Sequence, residues 1–338
     1  MTPDRFGEIA SSYARLRMAV VGDFCLDRYL EIDPARAERS IETGLEVRNV
    51  VRVRPQPGAA GTVLNNLVAL GVGQIHAIGF CGDDGEGYEL RRALAALPGV
   101  CLDGFRASAG RRTFTYCKPL LLEPGRPPRE LERLDSKNWT PTPDSLQREI
   151  AHALLRVAPG ADAVILMDQV DIPDTGVATP SVRYAAAQAL RDRPSLVTLA
   201  DSRRGLADYP PLGFKMNAAE LAALSGIPRS PGPGEAMRAA EELARRNRQP
   251  VFVTLAENGI VGAPPDAAPC HSPALPVRGP IDIVGAGDAV TANLATALAA
   301  GAKITEALEI AMAAASVVVH KLGTTGTASP DEIAALLD

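Results

Sequence analysis

Short apolar runs alternate with amphipathic segments along this chain, and the alternation limits the possible folds more than any other feature. The runs are rich in β-branched residues and lack polar alternation, as is typical of strands buried on both faces of a parallel sheet. They are Met18–Gly22, Ile75–Phe80, Ala163–Met167, Leu196–Ala200 and Val251–Leu255. Helical patterns lie between or after them, at Gly61–Leu70, Glu86–Leu97, Pro143–Val157, Pro180–Arg191, Ala218–Leu224, Glu235–Arg246, Asp288–Ala300, Thr305–Lys321 and Pro330–Leu337. This order predicts an α/β layer sandwich with right-handed crossovers.

Two stretches do not follow this pattern. Asp27–Val53 and Arg111–Leu122 contain segments in which charged or polar positions alternate with apolar ones. Such alternation predicts half-exposed antiparallel strands, which we interpret as a small β lid on the main domain. Glu123–Glu130 is a turn rich in Pro and Gly, and the acidic Gly82–Gly87 string predicts a strand-to-helix turn rather than a phosphate loop.

The composition argues against two broad classes of partner. The 338 residues include 35 Lys and Arg against 40 Asp and Glu, without a dense basic stretch, so no nucleic-acid partner is expected. The sequence has no apolar leader and no run of the ~20 apolar residues that a membrane span requires. Its five cysteines are scattered without metal-ligand spacing, which favours reduced thiols in a cytoplasmic protein.

The string Asp282–Asp288 (DIVGAGD) is the sharpest chemical motif in the chain, and a helical pattern follows it at once. A Gly-Ala-Gly turn at a helix start presents unpaired backbone amides and the positive end of the helix dipole to an anion such as phosphate. A carboxylate beside them, Asp288, could take a proton from a hydroxyl group during phosphoryl transfer. The alternative interpretation is that Asp288 only caps the helix.

This string is similar to the C-terminal signature of the ribokinase-like (PfkB-type) sugar kinases, which the chain resembles over nearly its whole length. No Walker sequence is present. The resemblance implies that Asp288 is the catalytic base and that Gly285, Ala286 and Gly287 form the anion hole. It also implies a three-layer αβα sandwich with a mostly parallel sheet. Within the family the chain looks most like the kinase portion of the bacterial heptose 7-phosphate kinase/heptose-1-phosphate adenylyltransferase proteins.

Further motifs extend the resemblance to the substrate side of the site. Val21–Tyr29 resembles the first strand and its exit, which implies that Asp23 and Asp27 lie near sugar hydroxyls. The string PGAAGTV occupies the N-terminal glycine signature, implying substrate contacts from Gly58 and from Thr62, where the family usually has Asn. Lys118 could reach a sugar phosphate. Arg203 could face phosphate or could be a solvated loop charge.

Other motifs resemble those of the nucleotide and metal sites. They are Lys215–Glu220, Thr254–Gly259 and Val319–Thr325. The resemblance implies that nucleotide contacts come from Asn217, Thr254, Glu257, Gly259, Lys321 and Gly323. It places Glu220 in the Mg²⁺ region and a monovalent cation such as K⁺ beside Asp282, Val284 and Gly323.

Together these residues predict ATP-dependent phosphorylation of a sugar or sugar phosphate, with a heptose 7-phosphate at its anomeric hydroxyl as the favoured substrate. Thr62, Arg36–Val47 and Asp168–Asp171 depart from the heptose kinases, so another sugar or a nucleoside stays open as the acceptor. A catalytically silent sensor of sugars or nucleotides is a third alternative. We expect a single kinase domain over residues 1–338, without a nucleotidyltransferase half, and a homodimer formed through the lid.

Overall fold

The computed structural model describes residues 1–323 and 325–337. Within these ranges the chain forms sixteen strands, which are β1 (Arg17–Gly22), β2 (Phe24–Ile32), β3 (Glu38–Arg39), β4 (Glu46–Val47), β5 (Val50–Ala59), β6 (Gln74–Gly82), β7 (Val100–Ser108), β8 (Thr115–Leu121), β9 (Arg129–Glu130), β10 (Leu134–Ser136), β11 (Ala163–Asp168), β12 (Val197–Ser202), β13 (Phe214–Asn217), β14 (Val251–Thr254), β15 (Ile260–Ala263) and β16 (Cys270–Ser272).

The same ranges contain ten α-helices. They are α1 (Pro3–Ala10), α2 (Ala60–Ala69), α3 (Gly85–Ala95), α4 (Asp144–Val157), α5 (Pro180–Asp192), α6 (Ala218–Ser225), α7 (Pro233–Asn247), α8 (Ala286–Ala299), α9 (Ile304–Val319) and α10 (Pro330–Ala334). All nine predicted helices are present, with ends that shift by a few residues. The sequence pattern missed α1, and α4 begins after Pro143, which is its N-cap.

A nine-stranded sheet forms the middle layer, in the order β16-β15-β14-β13-β12-β11-β1-β6-β7. The seven strands from β14 to β7 run parallel to one another. At the other end of the sheet, β15 runs antiparallel to β14 and the edge strand β16 runs antiparallel to β15. One apolar core packs α2, α8 and α9 against one face, and a second packs α4, α5 and α7 against the other. This arrangement confirms the three-layer αβα sandwich.

The sequence pattern found β1, β6, β11, β12 and β14, and it missed four strands of the main sheet: β13 inside it, and β7, β15 and β16 towards its edges. Strands β15 and β16 have only four and three residues, which is too short for a run to stand out. Strand β7, at the opposite edge, buries few of its residues and therefore lacks a continuous apolar run.

The five cysteines remain unpaired thiols. No helix in the described ranges has both the length and the apolar content needed to cross a bilayer.

The lid is a separate five-stranded sheet in the order β10-β8-β2-β5, with β9 paired to β8. It is larger than predicted, because it includes Phe24–Ile32, Val50–Ala59 and residues 129–136. Its central pair, β2 with β8, is parallel, so the prediction of purely antiparallel lid strands was wrong. The physical reason is that β2 leaves the main sheet directly after β1, with only Asp23 between them, and so enters the lid at its centre.

The parallel strands end at one edge of the main sheet, and this edge carries most of the candidate residues. Asp23 follows β1, while Asp168, Asp201 and Asn217 lie at the ends of β11, β12 and β13. Ligands of open α/β sheets bind outside the carboxyl ends of the strands. Since β2 also starts here, the lid is attached at the same edge, and the functional site is expected between the two.

Candidate active site

Helix α8 begins in a glycine turn that only glycine can form without strain. Gly285 is the N-cap residue and has φ 85°, in the left-handed region. A Cβ atom on Gly285 would lie 2.5 Å from Cγ2 of Thr325, so the turn also has no room for a side chain. Asp288 is the third residue of the helix and makes no side-chain cap. The interpretation of Asp288 as an N-cap was therefore wrong.

The amides of this turn are placed where they could bind an anion. The Ala286 amide donates to the carbonyl of Ile283 over 3.2 Å. Within the described residues, no hydrogen bond engages the amides of Gly285 and Gly287, as expected where the first N–H groups of a helix lack intrahelical partners. Of the three residues predicted to form the anion hole, Gly285 and Gly287 are thus the ones whose amides remain available.

The Asp288 carboxyl group sits among charged side chains. Burial raises its pKa to about 7, and the nearby Asp201 carboxylate adds to the rise, whereas Lys215 and Arg203 oppose it. Asp27, from the lid, has a smaller effect in the same direction as Asp201. A base is most effective when its pKa is close to the working pH, so this environment suits Asp288 to accept a proton near neutrality.

A buried ion pair that the sequence analysis missed lies directly below this turn. Nζ of Lys215 is 2.8 Å from Oδ2 of Asp201, and both residues are at most 7% exposed. The hydroxyl of Thr291, on α8, is 3.2 Å from the same carboxylate oxygen. Although burial alone lowers the pKa of Lys215, the Asp201 carboxylate raises it above its ordinary value, which keeps the ammonium charged.

The substrate side of the site contains a second ion pair, on the lid. Nζ of Lys118 is 3.1 Å from Oδ1 of Asp27 and 5.0 Å from the centroid of the Tyr29 ring. Gly58 lies diagonally across from Asp27 on the neighbouring strand β5, where a Cβ atom would come within 2.6 Å of the Asp27 carboxylate. The structure thus brings together three residues that were predicted to bind substrate: Asp27, Gly58 and Lys118.

Asp23 occupies a different environment from the one the sequence suggested. It is fully buried, and its two carboxylate oxygens accept the amides of Gln169 (2.8 Å) and Val177 (2.7 Å). Burial, with the nearby Asp168 carboxylate adding to it, raises the pKa of Asp23. This geometry makes Asp23 an anchor for the loop after β11, which borders the site.

Thr62 packs against the glycine turn at the start of α8. Its Cγ2 atom is 3.7 Å from the position of a Cβ atom on Gly285, and the residue is buried on α2. Gln56 of the lid donates to the carbonyl of Thr325 over 3.3 Å, so the lid also contacts the residue that packs on Gly285. The sequence placed Thr325 in the 319–325 motif, but it did not indicate that Thr325 or Gln56 contacts the turn.

Asn217 and Glu220 form the N-terminal cap of α6. The Glu220 amide donates to Oδ1 of Asn217 over 2.9 Å, and the Asn217 amide donates to Oε2 of Glu220 over 2.8 Å. Each side chain keeps polar atoms beyond this pairing, namely the Asn217 NH₂ group and Oε1 of Glu220. An oxygen donor such as Oε1 fits Mg²⁺, either directly or through water. Burial raises the pKa of Glu220, and Asp201 adds to the rise.

The other residues predicted to border the nucleotide lie at the end of β14, in the turn after it, and beyond the end of α9. Thr254 ends β14, and Glu257 is exposed in the turn that follows. Gly259 closes that turn with φ 86°, and its missing side chain avoids the Ser272 carbonyl. Nζ of Lys321 contacts Glu332 (2.6 Å) and the carbonyl of Thr327 (2.7 Å).

Three residues were predicted to bind a monovalent cation. Oδ1 of Asp282 accepts a hydrogen bond from the Val284 amide over 3.0 Å. The Asp282 amide donates to the carbonyl of Val319, which links the loop before α8 to the end of α9. Gly323 is exposed and has φ 71°, while Thr324, beside it in the 319–325 motif, lies outside the described residues.

Arg203 directly follows β12 at the carboxyl edge of the main sheet. Its guanidinium is 3.6 Å from the Asp171 carboxylate, and the side chain is 53% exposed. The guanidinium also lowers the pKa of both Asp288 and Glu220. Arg203 is therefore an exposed cation close to both of these carboxyl groups, and a contact with phosphate stays a prediction.

Comparisons with known proteins agree with this geometry. Residues 198–332 match the family model described as pfkB family carbohydrate kinase. The Bifunctional protein HldE of Pelobacter propionicus is 32% identical over 332 residues, covering 96% of this chain and 64% of that protein. The corresponding protein of Hyphomonas neptunium is 31% identical over 335 residues, covering 98% and 66%. The chain thus spans slightly less than two thirds of the length of these relatives.

Solved structures show the same fold. The Arabidopsis thaliana ribokinase complexed with ribose and ATP superimposes with a TM-score of 0.68 at 21% identity, covering 96% of this chain and 99% of that one. The phosphofructokinase-2 of Escherichia coli in complex with potassium gives 0.70 at 19% identity, covering 95% and 99%.

A glycine turn with a carboxylate in the first turn of its helix can support phosphoryl transfer to a hydroxyl group, which agrees with the carbohydrate kinase family that residues 198–332 match. More particularly, residues 198–332 match the pfkB family of carbohydrate kinases, and the chain has the ribokinase-like fold across its length. The predicted resemblance is confirmed.

Proposed function

We propose that this protein transfers the terminal phosphoryl group of ATP to the anomeric hydroxyl of a heptose 7-phosphate. The observation that carries the proposal is the matched set of Asp288, with a pKa of about 7, and the amides of Gly285 and Gly287 on the first turn of α8. The HldE proteins, matched over nearly the whole chain, support a heptose as the acceptor.

In this mechanism Asp288 accepts the proton of the attacking hydroxyl. The amides of Gly285 and Gly287 donate hydrogen bonds to the negative charge that develops during transfer. ATP with Mg²⁺ would supply the phosphoryl group. The Glu220 carboxylate and the Asn217 side chain would bind the ATP–Mg²⁺ complex. Asp27 and Lys118 orient the sugar from the lid.

The acceptor is tested by measuring ADP release with ATP and Mg²⁺ over a panel of hexoses, heptoses, their phosphates and nucleosides. We expect the highest kcat/KM with a heptose 7-phosphate, because Lys118 provides a cation at the lid surface of the site. Turnover confined to unphosphorylated hexoses or to nucleosides would contradict the heptose proposal. The absence of turnover with any acceptor would favour a silent sensor.

A monovalent cation beside Asp282, Val284 and Gly323 is part of the proposal. Two observations support it: the Asp282 carboxylate lies in the loop directly before α8, and the structurally similar phosphofructokinase-2 is described in complex with potassium. With the best acceptor, we expect a higher rate in potassium buffer than in tetramethylammonium buffer at equal ionic strength. Equal rates in the two buffers would remove the cation from the mechanism.

We also propose that the lid forms a homodimer. Strand β5 is an edge of the lid sheet and exposes apolar side chains, among them Val51 (46%) and Val53 (41%), while Leu45 nearby is 69% exposed. An exposed apolar edge strand is a template for pairing with a second chain. Light scattering at micromolar concentration should give twice the chain mass, with Val51→Glu reducing it; a fully active monomer would refute the dimer.

The remaining parts of the interpretation stay predictions. They are a kinase domain over residues 1–338 and a cytoplasmic location.

A further inference from the structure

The buried ion pair of Lys215 and Asp201 lies under the turn that carries the base. The pair joins the ends of two neighbouring strands, β13 and β12, and both residues are almost fully buried. Charged groups are rarely retained in such a position unless they are paired, because removing them from water is costly. The pair therefore calls for an explanation beyond the cohesion of the sheet.

Two contacts tie the pair to α8. The Thr291 hydroxyl lies 3.2 Å from the Asp201 carboxylate and 3.0 Å from the carbonyl of Gly287, one turn earlier in the helix. Nζ of Lys215 is 3.2 Å from the position of a Cβ atom on Gly287. Since Asp288 and Thr291 are three residues apart, they lie on one face of the helix, and the pair faces the base.

We propose that Lys215 and Asp201 are positioning residues for phosphoryl transfer, which hold the first turn of α8 in place and set the electrostatic field at Asp288. The inference rests on the proposed role of Asp288 as the base and does not depend on the identity of the sugar. Glycine at position 287 is then required for a second reason, because a side chain there would press on the Lys215 ammonium.

The two members of the pair act on Asp288 in opposite directions. The charged groups facing Asp288 are Asp201 from β12, Arg203 from the loop after it, Lys215 from β13 and Asp27 from the lid. The Lys215 ammonium favours the ionised base, whereas the Asp201 carboxylate disfavours it. A pair that did not act on the base would leave the titration midpoint of Asp288 in place when either member is neutralised.

This opposition gives the test. The chain is labelled with ¹³C at aspartate carboxyl groups, the Asp288 signal is assigned with Asp288→Asn, and its titration midpoint is followed by NMR without any acceptor. We expect Lys215→Met to move the midpoint upward by about one pH unit or more, the usual scale for loss of a close opposite charge. Asp201→Asn should move it downward. Midpoints that stay in place, or that move in the same direction, would overturn the inference.

Two further variants keep the result interpretable. Lys215→Met leaves Asp201 buried without its partner, so the double variant Lys215→Met/Asp201→Asn, which removes both charges, is measured as well. Its Asp288 midpoint should lie between those of the two single variants, and a value outside that interval would contradict additive electrostatic effects. Lys303→Met removes a lysine at the exposed start of α9 and should leave the midpoint unchanged; an equal shift there would refute a specific role for Lys215.

The pH dependence of kcat with the best acceptor provides the link to catalysis. Its acid limb should follow the Asp288 midpoint in each variant, upward for Lys215→Met and downward for Asp201→Asn. If the Asp288 midpoint moves while the acid limb of kcat does not, the proposed role of the ion pair in phosphoryl transfer is wrong. If the heptose proposal fails, the NMR titration still decides the electrostatic part, because no acceptor is present in it.

Discussion

Asp288→Asn is expected to lower kcat by about 10²–10⁴, because the amide cannot accept the proton of the attacking hydroxyl. The affinity for ATP should change little, since the carboxylate is assigned to the acceptor and not to the nucleotide. Steady-state kinetics and calorimetric ATP binding on the same purified variant measure both quantities. A variant that keeps a near-normal kcat would defeat the assignment of Asp288 as the base.

The stability of this variant provides an independent check. The folded state raises the pKa of Asp288 from 3.8 to about 7, so the folded protein binds this proton more tightly than the unfolded chain. Asp288 therefore destabilises the fold progressively as the pH rises from about 4 to 7, and the full cost remains above 7. Asn carries no charge, so at pH 8 the variant should melt at the same temperature as the parent or higher.

A matched control separates this result from a general effect of removing an acidic residue from a helix start. Asp144 occupies the first turn of α4, on the other face of the main sheet. Asp144→Asn should leave kcat unchanged and slightly weaken the favourable interaction with the helix dipole. A comparable loss of kcat in both variants would mean that Asp288→Asn acts through the fold.

The parts of the site that lie within one short string were predictable from the sequence. A Gly-Ala-Gly turn before a helical pattern places backbone amides at a helix start, and Asp288 follows within the first turn. The exact position was harder to predict, because an N-cap and a third helical residue differ by one turn of backbone. The dihedral angle of Gly285 settles which residue caps the helix.

The buried pair could not be predicted in the same way. Lys215 and Asp201 are fourteen residues apart and meet only because β12 and β13 are neighbours in the sheet. Thr291 lies ninety residues from Asp201 and reaches it from another layer. No local pattern encodes such contacts, since they depend on strand order.

For Asp23 the motif was recognised from the sequence, but the role of the side chain was not. That role depends on whether water, sugar or backbone amides surround the carboxylate. In the structure two amides of the loop after β11 occupy both oxygens. The lid is a third case, because the alternation in β5 was visible while the pairing of β2 with β8 was not.

The second large effect is expected at the glycine turn. Gly285→Ala should lower kcat by about 10²–10³, the usual cost of losing one hydrogen-bond donor to the developing charge. The new Cβ atom would lie 2.5 Å from Cγ2 of Thr325, so the turn must move and carry the amides of Gly285 and Gly287 away from their positions. Because the carboxylate of Asp288 is retained, the acid limb of the pH profile should stay near its original position.

Gly301→Ala separates this geometric effect from backbone strain. Gly301 follows the other end of α8 with φ 84°, nearly the same as the 85° of Gly285, but a Cβ atom there meets nothing within 4 Å. Gly301→Ala should lose about 1–2 kcal/mol of stability through the left-handed backbone, and Gly285→Ala at least as much, both measured by urea unfolding. Only Gly285→Ala should lose kcat. If Gly301→Ala reduced kcat equally, strain transmitted along α8 would explain the loss, and the amides of the turn would have no separate part in catalysis.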